Sequence, residues 1–328
     1  MEEITLRGTH FEMGRQIGTQ MREGSVELPS LNEDQLRYID CLVEKSEVLI
    51  PGIFEEMRGL ADGGGYEERV VFFHSLSIGI VPACTVIAIS GGHTKDGRPI
   101  FGRNYDASPD FADFTLYRTY PDRGFAHIGC AYSLLVGREG GVNEAGLAIA
   151  VTGVHGHYTD DPGLWDHIPV RVVLDRCSRV DEAVGLIESL PHLWTKNFLI
   201  ADVTNEIAIV EAGQQGVASS RVVDGFAAIT NHFVLPEMEA YCNRAEVPRN
   251  SVHRRDTAYR WSQEARQAAE PLAYGHVKQL LSTTDGGVRS ELDKSFSTVW
   301  SWVANLGERS IELADHLPEP DGYRRYTF

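Results

Sequence analysis

A layered α+β domain is the fold class that the sequence predicts, and three observations predict it. The first eighty residues are patterned as helices. From Thr85 the texture changes to short β-rich runs, and helical segments return among these runs without a regular βαβ alternation. A length of 328 residues suits either two domains or one large one, and such a chain buries enough surface to need no disulfide or metal to hold it.

Taken in order, the segments Asp34–Ser46 and Ile53–Asp62 mix apolar and charged positions at helical spacing, with Pro51 placed to start the second helix. The uncharged run VVFFHSLSIGIVPACTVIAI, from Val70 to Ile89, is long enough to cross a bilayer. His74, Ser75, Ser77 and Pro82 interrupt it, so it reads as two buried segments meeting near Pro82. Strands are expected at TVIAI, RPIFGRNYD, GLAIAVTGV, NFLIADV, EIAIVEAG and GFAAIT. A helix is expected over VRVVLDRCSRVDEAVGLIESL, ending before Pro191, and another from Ser251 to Ala268. No internal repeat, low-complexity tract or linker stands out.

Composition narrows the partners. With 30 basic against 47 acidic side chains the formal charge is −17, which argues against nucleic acid or an anionic membrane. The five cysteines, Cys41, Cys84, Cys130, Cys177 and Cys242, form no CxxC pair for zinc, iron–sulfur or dithiol chemistry. An odd cysteine count behind an N-terminus lacking an apolar signal core reads as reduced, cytoplasmic thiols.

The common catalytic signatures GxSxG, HExxH, Walker A and GxGxxG are absent. His155, His157 and His167 cluster around Asp160 and Asp161, but HGHYTDD also suits a solvated loop, and no metal is expected. The informative block is CTVIAISGGHTKDGRPIFGRNYD, from Cys84 to Asp106, whose Asp96-Gly97 turn signals a β-hairpin. With the turn near Lys95–Asp96, Cys84 falls opposite Asp106–Ala107. Arg103 and Asp106 then belong on opposite faces of a regular strand, so a bulge or an approach around the strand edge is needed for both to reach the thiol. Spacing alone favours a core cysteine with an exposed Arg/Asp pair.

Around these residues the chain resembles the acyl-coenzyme A:6-aminopenicillanic acid acyltransferase family, the C45 peptidase or linear amide C–N hydrolase group. It is more distantly similar to choloylglycine hydrolases and penicillin V acylases, all N-terminal-nucleophile hydrolases. The resemblance runs through LRGTHFEMGRQIG, PGIFEEMRGLADG, the Cys84–Asp106 block, GGVNEAGLAIA, DEAVGLIESLP, NFLIADVTNEIAIVEAG, ITNHF, NSVHRR and TVWSWV. It implies a four-layer αββα fold made as a precursor, cut between Ala83 and Cys84. Residues 1–83 would be a propeptide or small α-rich fragment and 84–328 the catalytic fragment, together one globular domain. The freed α-amine titrates near about 7.7–8.0 and can serve as base for its own thiol, so no Cys–His–Asn triad is required.

Further roles follow from the resemblance. Asp106 matches the carboxylate that holds the N-terminal amine, Arg103 the residue that polarises the nucleophile, and Asn231 the side-chain amide of the oxyanion hole. Arg254 most nearly matches a downstream arginine, with Arg255 one residue away. Where choloylglycine hydrolases carry Asn or Tyr this chain has Gly153, so the second oxyanion donor must be a backbone N–H or another side chain. No cofactor is implied, although a coenzyme A thioester is possible as substrate. The expected partners are a small amide or acyl substrate and the chain's own propeptide fragment. A hydrolase, an acyltransferase and an uncleaved metabolite-binding member are the three functional expectations. Asn143 reads as a turn residue, His232 as structural, Trp300 and Trp302 as core, and the four other cysteines as inert thiols.

Overall fold

The computed structural model describes residues 1–79, 83–108, 114–132, 136–156, 159–293 and 296–328. The chain opens on a strand, β1 (Glu2–Gly8), in a stretch expected to be largely helical. Four helices follow, α1 (His10–Glu23), α2 (Glu33–Ser46), α3 (Pro51–Gly64) and α4 (Glu68–Ser77). Local chemistry sets their starts. Thr9 and Glu12 form a reciprocal capping box on α1, Asn32 and Gln35 do so on α2, and Pro51 occupies the first turn of α3.

The β-rich part begins with β2 (Ala83–Ile89) and β3 (Ile100–Ala107). Next come β4 (Phe114–Pro121), β5 (His127–Tyr132), β6 (Gly140–Asn143) and β7 (Ala148–Gly153). The helix expected over 170–190 is two, α5 (His167–Arg176) and α6 (Val180–Ser189). Its break has a physical cause. Asn143 Nδ2 donates to the carbonyls of Leu174 and Cys177 and so satisfies the end of α5, while Glu182 Oε2 accepts from the N–H groups of Ser178 and Arg179 and starts α6. Asn143 is thus the turn residue it was read as, its Oδ1 also accepting from Leu147 N.

Four strands follow: β8 (Lys196–Ala201), β9 (Ile207–Gly213), β10 (Gly216–Arg221) and β11 (Phe226–Ile229). Helices α7 (Arg249–Gln267) and α8 (Tyr274–Ser282) come next. The chain then ends on strands: β12 (Glu291–Asp293), β13 (Phe296–Asn305), β14 (Ser310–Ala314) and β15 (Arg324–Thr327).

Two sheets result among the described residues. One runs β1-β4-β5-β6-β7-β8-β9-β10, and the other β11-β2-β3-β13-β14-β15 with β12 paired to β13. Strand alternation divides their side chains between three cores. Cys84, Val86, Phe101, Tyr105 and Trp300 meet Leu116, Ile128, Ala150 and Leu199 in the space between the sheets. The outer face of the first sheet carries α5 and α6 through Ile149, Val173 and Phe198, and α1–α4 through Tyr117, Phe54 and Leu60. Ile87, Ile100, Ala258 and Leu281 pack α7 and α8 on the other sheet. Helix, sheet, sheet, helix is the four-layer αββα arrangement.

The N-terminal segment is built into this body. β1 adds a parallel strand to β4, and the second core interleaves Met13, Phe54 and Met57 with Leu164, Ile168 and Val172. Where α1 crosses α3 the backbones nearly touch: a Cβ on Gly14 would overlap the Glu56 carbonyl, and one on Gly59 the Phe11 carbonyl. Pro82, at the expected junction of two segments, lies outside the described residues, but α4 and β2 stand on either side of it. No helix among the described residues is long and apolar enough to cross a membrane.

Candidate active site

The hairpin β2–β3 forms as the sequence suggests, in a different register. Cys84 pairs with Tyr105 and Ala83 with Asp106, a shift of the partner by one to two residues from the expected Asp106–Ala107. The physical reason lies in the turn, where a single 3₁₀ turn at Gly91–His93 and Gly97 at φ 72° lengthen the connection asymmetrically. Arg103 and Asp106 do lie on opposite faces. Nor are they exposed: Cys84, Arg103 and Asp106 are all 0% accessible. Among the described residues, the register irregularity beside them is in the neighbouring strand β13, between Thr298 and Trp300.

On the inter-sheet face, Arg103 Nη2 donates to Cys84 Sγ at 3.3 Å. Arg103 also lies over the rings of Tyr105 and Trp300, at 5.2 and 5.1 Å, and Nη1 donates to the Glu139 carbonyl. On the helix face, Asp106 accepts from Ser290 Oγ and Thr298 Oγ1, both at 2.6 Å, and Arg254 Nη1 stands 3.6 Å away. Burial raises the Asp106 carboxyl, while Arg254 and the two hydroxyls oppose the rise.

Asn231, just past β11, accepts from the Cys84 backbone N–H at 3.0 Å and donates through Nδ2 to the Gly153 carbonyl at 2.9 Å. Arg254 completes the cluster from α7. It donates to the Cys84 carbonyl, to Thr85 Oγ1 at 2.6 Å and to Asn231 Oδ1 at 2.8 Å. The first turn of α7 is fixed to the same loop, since Ser251 Oγ accepts from Asn231 N and meets His232 Nδ1, each at 2.8 Å. Cys84, Arg103, Asp106, Gly153, Asn231 and Arg254 are therefore brought together. Arg255 is not: its guanidinium lies over the Tyr259 ring at 4.5 Å.

Burial pushes the Cys84 thiol up to about 11, against the pull of Arg103. A neutral thiol is the ground state of the continuous chain, and nucleophilic work requires a base. Cys130 and Cys177 are pushed up to about 12 by burial with no comparable cation bonded to sulfur. All five thiols are free.

Several groups at the site escaped the sequence reading. Ser290 and Thr298 hold Asp106 from nearly two hundred residues away, and no local pattern points to them. Glu139, Asp166 and His167 bring ligand-type atoms within 4.8 Å of one another in the interior. The available signal was charge in an apolar setting, Arg138-Glu139 ahead of GGVN and Asp166 within LWDHIP. His167 thus belongs to this group rather than to the expected loop cluster, whose His157 lies outside the described residues; His155 faces Glu246 at 3.6 Å.

Fold comparison defines the class. Penicillin V acylase from Agrobacterium tumefaciens is similar at 18% identity, over 71% of this chain and 83% of that one, with a TM-score of 0.51. The Caenorhabditis elegans N-acylethanolamine-hydrolyzing acid amidase ortholog is similar at 18% identity, over 68% and 93%, with a TM-score of 0.52. The fold is that of the N-terminal-nucleophile hydrolases. The family model for Acyl-coenzyme A:6-aminopenicillanic acid acyl-transferase matches residues 93–318, and the chain belongs to that family. The matched span begins after Cys84 and includes Arg103, Asp106, Asn231 and Arg254. No curated protein matches the sequence. The chain thus combines the N-terminal-nucleophile hydrolase fold with membership of the acyl-transferase family.

Proposed function

We propose that the protein is an autoprocessed cysteine amidohydrolase that cleaves a small N-acyl or aminoacyl amide through an acyl-enzyme on Cys84. One observation carries the reading: Cys84 is the residue whose sulfur, backbone N–H and carbonyl are each held by a different polar side chain, Arg103, Asn231 and Arg254. A core cysteine needs none of these partners.

Processing begins with attack of the Cys84 thiol on the Ala83 carbonyl carbon. The C–S bond forms, the Ala83–Cys84 C–N bond breaks, and the nitrogen leaves as an α-amine carrying the thiol proton. Water then hydrolyses the thioester, leaving the Ala83 carboxylate and a free thiol. The products are the fragments 1–83 and 84–328. The new amine is that of Cys84, whose N–H already donates to Asn231 Oδ1 and whose strand partner Tyr105 adjoins Asp106.

In turnover the amine takes the thiol proton as sulfur attacks the substrate carbonyl. Arg103 favours the thiolate by charge. Asn231 Nδ2, which donates one N–H to the Gly153 carbonyl at the end of β7, supplies its other N–H to the developing oxyanion. The amine proton then passes to the leaving nitrogen, and water resolves the acyl-enzyme. The family's acyl-transferase description favours a second reading, in which an amine rather than water accepts the acyl group and a coenzyme A thioester is a possible donor.

Intact-mass measurement tests the central claim. Wild-type protein should give fragments of 83 and 245 residues from the 328-residue chain, and Cys84→Ala should stay whole. Full-length wild-type protein, inactive on a panel of amides, would sink the proposal. Hydrolysis assayed with and without a saturating amine separates the two readings, since absence of any transfer product removes the second.

A further inference from the structure

Beside the Arg103–Cys84 contact lies a second group of charges, the nearest of them reaching the same guanidinium nitrogen that donates to the thiol. Glu139 Oε2 stands 3.6 Å from Arg103 Nη2. Asp166, at the head of α5, brings a carboxylate oxygen within 4.8 Å of a Glu139 oxygen. Lys196, opening β8, is fully buried and donates to the Leu164 carbonyl at 3.2 Å. Among the described residues, Glu139 Oε2 and Asp166 Oδ1 are buried without a hydrogen-bond partner. Two carboxylates this close, both out of water, do not both ionise freely.

The other groups facing Glu139 carry no compensating charge. His167 Nε2 lies 2.8 Å from the Ser75 carbonyl, which places the proton on Nε2, and burial holds the ring neutral, pushed down to about 4. Cys130 stays a thiol. Arg138 turns its guanidinium over the Tyr117 ring at 4.0 Å and donates to Thr119 Oγ1. A divalent cation among Glu139, Asp166 and His167 would add to the charges of Arg103 and Lys196, so a proton suits the space better.

We propose that Glu139 and Asp166 are positioning residues that share one proton, held on Glu139, so that Asp166 answers Lys196 and the charge of Arg103 is left for the Cys84 thiolate. Burial first, and the Asp166 charge second, push the Glu139 carboxyl up to about 8. If Glu139 ionised, it would pair with Arg103 directly and the thiolate would lose its counter-ion. Loss of Asp166 has two effects of one sign. Glu139 gives up its proton more readily, and Lys196, already lowered by burial with Asp166 as its opposing support, becomes neutral.

The inference rests on reading Cys84 as the nucleophile, and its test separates the two. The pH titration of ultraviolet thiolate absorbance is measured as the difference from the Cys84→Ala form in each background. Asp166→Asn should raise the Cys84 midpoint by about one pH unit, a tenfold loss of thiolate at neutral pH. The wild-type Glu139 carboxyl, at about 8, loses its proton before the thiol does as pH rises. Glu139→Gln is near-isosteric and cannot ionise, so it should lower the midpoint, and the double variant should follow Glu139→Gln. Equal shifts of the same sign in both variants, or an unmoved midpoint in Glu139→Gln, overturn the proposal. Should Asp166→Asn fail to fold, the Glu139→Gln midpoint decides alone. Activity persisting in Cys84→Ala would instead overturn the nucleophile reading and leave these midpoints to be judged separately.

Discussion

Asn231 joins several partners through one side chain: its oxygen accepts from the Cys84 N–H and from Arg254, and its nitrogen donates to the Gly153 carbonyl. If Asn231 is the oxyanion donor proposed above, Asn231→Ala should cut turnover by about a hundredfold or more. Measured kcat should fall while the Cys84 thiol keeps its reactivity; an unchanged kcat would remove Asn231 from the site. Arg254→Lys should impair both processing and turnover, since a single ammonium cannot reach the Cys84 carbonyl, Thr85 and Asn231 together. Fragment yield over time, by intact mass, reads the first of these. At this scale the neighbourhood of Cys84 was legible in CTVIAISGG…GRNYD because its members are close in sequence. Ser290, Thr298, Glu139 and Asp166 were not, because only sheet pairing and the docking of α5 bring them near.

Among elements, the α1–α3 crossing is the tightest contact, and glycine permits it. Gly59→Ala should destabilise by about 1–3 kcal/mol, because the added methyl meets the Phe11 backbone carbonyl rather than a side chain that can move. Thermal unfolding of Gly59→Ala against Gly185→Ala measures this, since a Cβ at Gly185 meets nothing. Equal midpoints would contradict the close packing. Helix positions and most buried strands were readable from periodicity, but β1 was not. Its run EEITLRG carries two acids and two other polar residues, and it becomes a strand by pairing with β4. The break between α5 and α6 was hidden for a similar reason, since the Asn143 side chain that ends α5 comes from another layer.

Over the whole molecule, the N-terminal segment is joined to the rest by a buried ionic network. Arg171 Nη2 donates to Glu56 Oε2 at 2.8 Å, and Arg171 and His10 both meet Asp175, the latter at 3.3 Å. If processing occurs, fragment 1–83 should therefore co-purify with 84–328 and separate only in denaturant; release of the small fragment in plain buffer would contradict the shared core. Burial opposes the charge of Asp175, yet Arg171, His10 and His127 outweigh it and hold the carboxyl below the usual range. Its stabilising contribution is present above the ordinary value of 3.8 and is lost as pH falls through the depressed one. Burial likewise opposes a charge on His10, but Asp175 raises it above 6.5, so that contribution is present below 6.5 and is lost as pH rises through the raised value. Thermal midpoints should be least pH-sensitive between these limits. His10→Gln should flatten the alkaline side and Asp175→Asn the acid side, each checked by calorimetry across pH.

The amino-acid sequence by itself determined the fold class, the family resemblance and the cysteine singled out from five, because periodicity, turn residues and adjacent motifs are local properties. Tertiary structure alone decided the hairpin register, the burial of Arg103 and Asp106, and the choice of Arg254 over Arg255. It also decided that residues 1–83 supply an edge strand and half of a core. These depend on which surfaces exclude water together, and that is set by the packing of four layers rather than by any one segment.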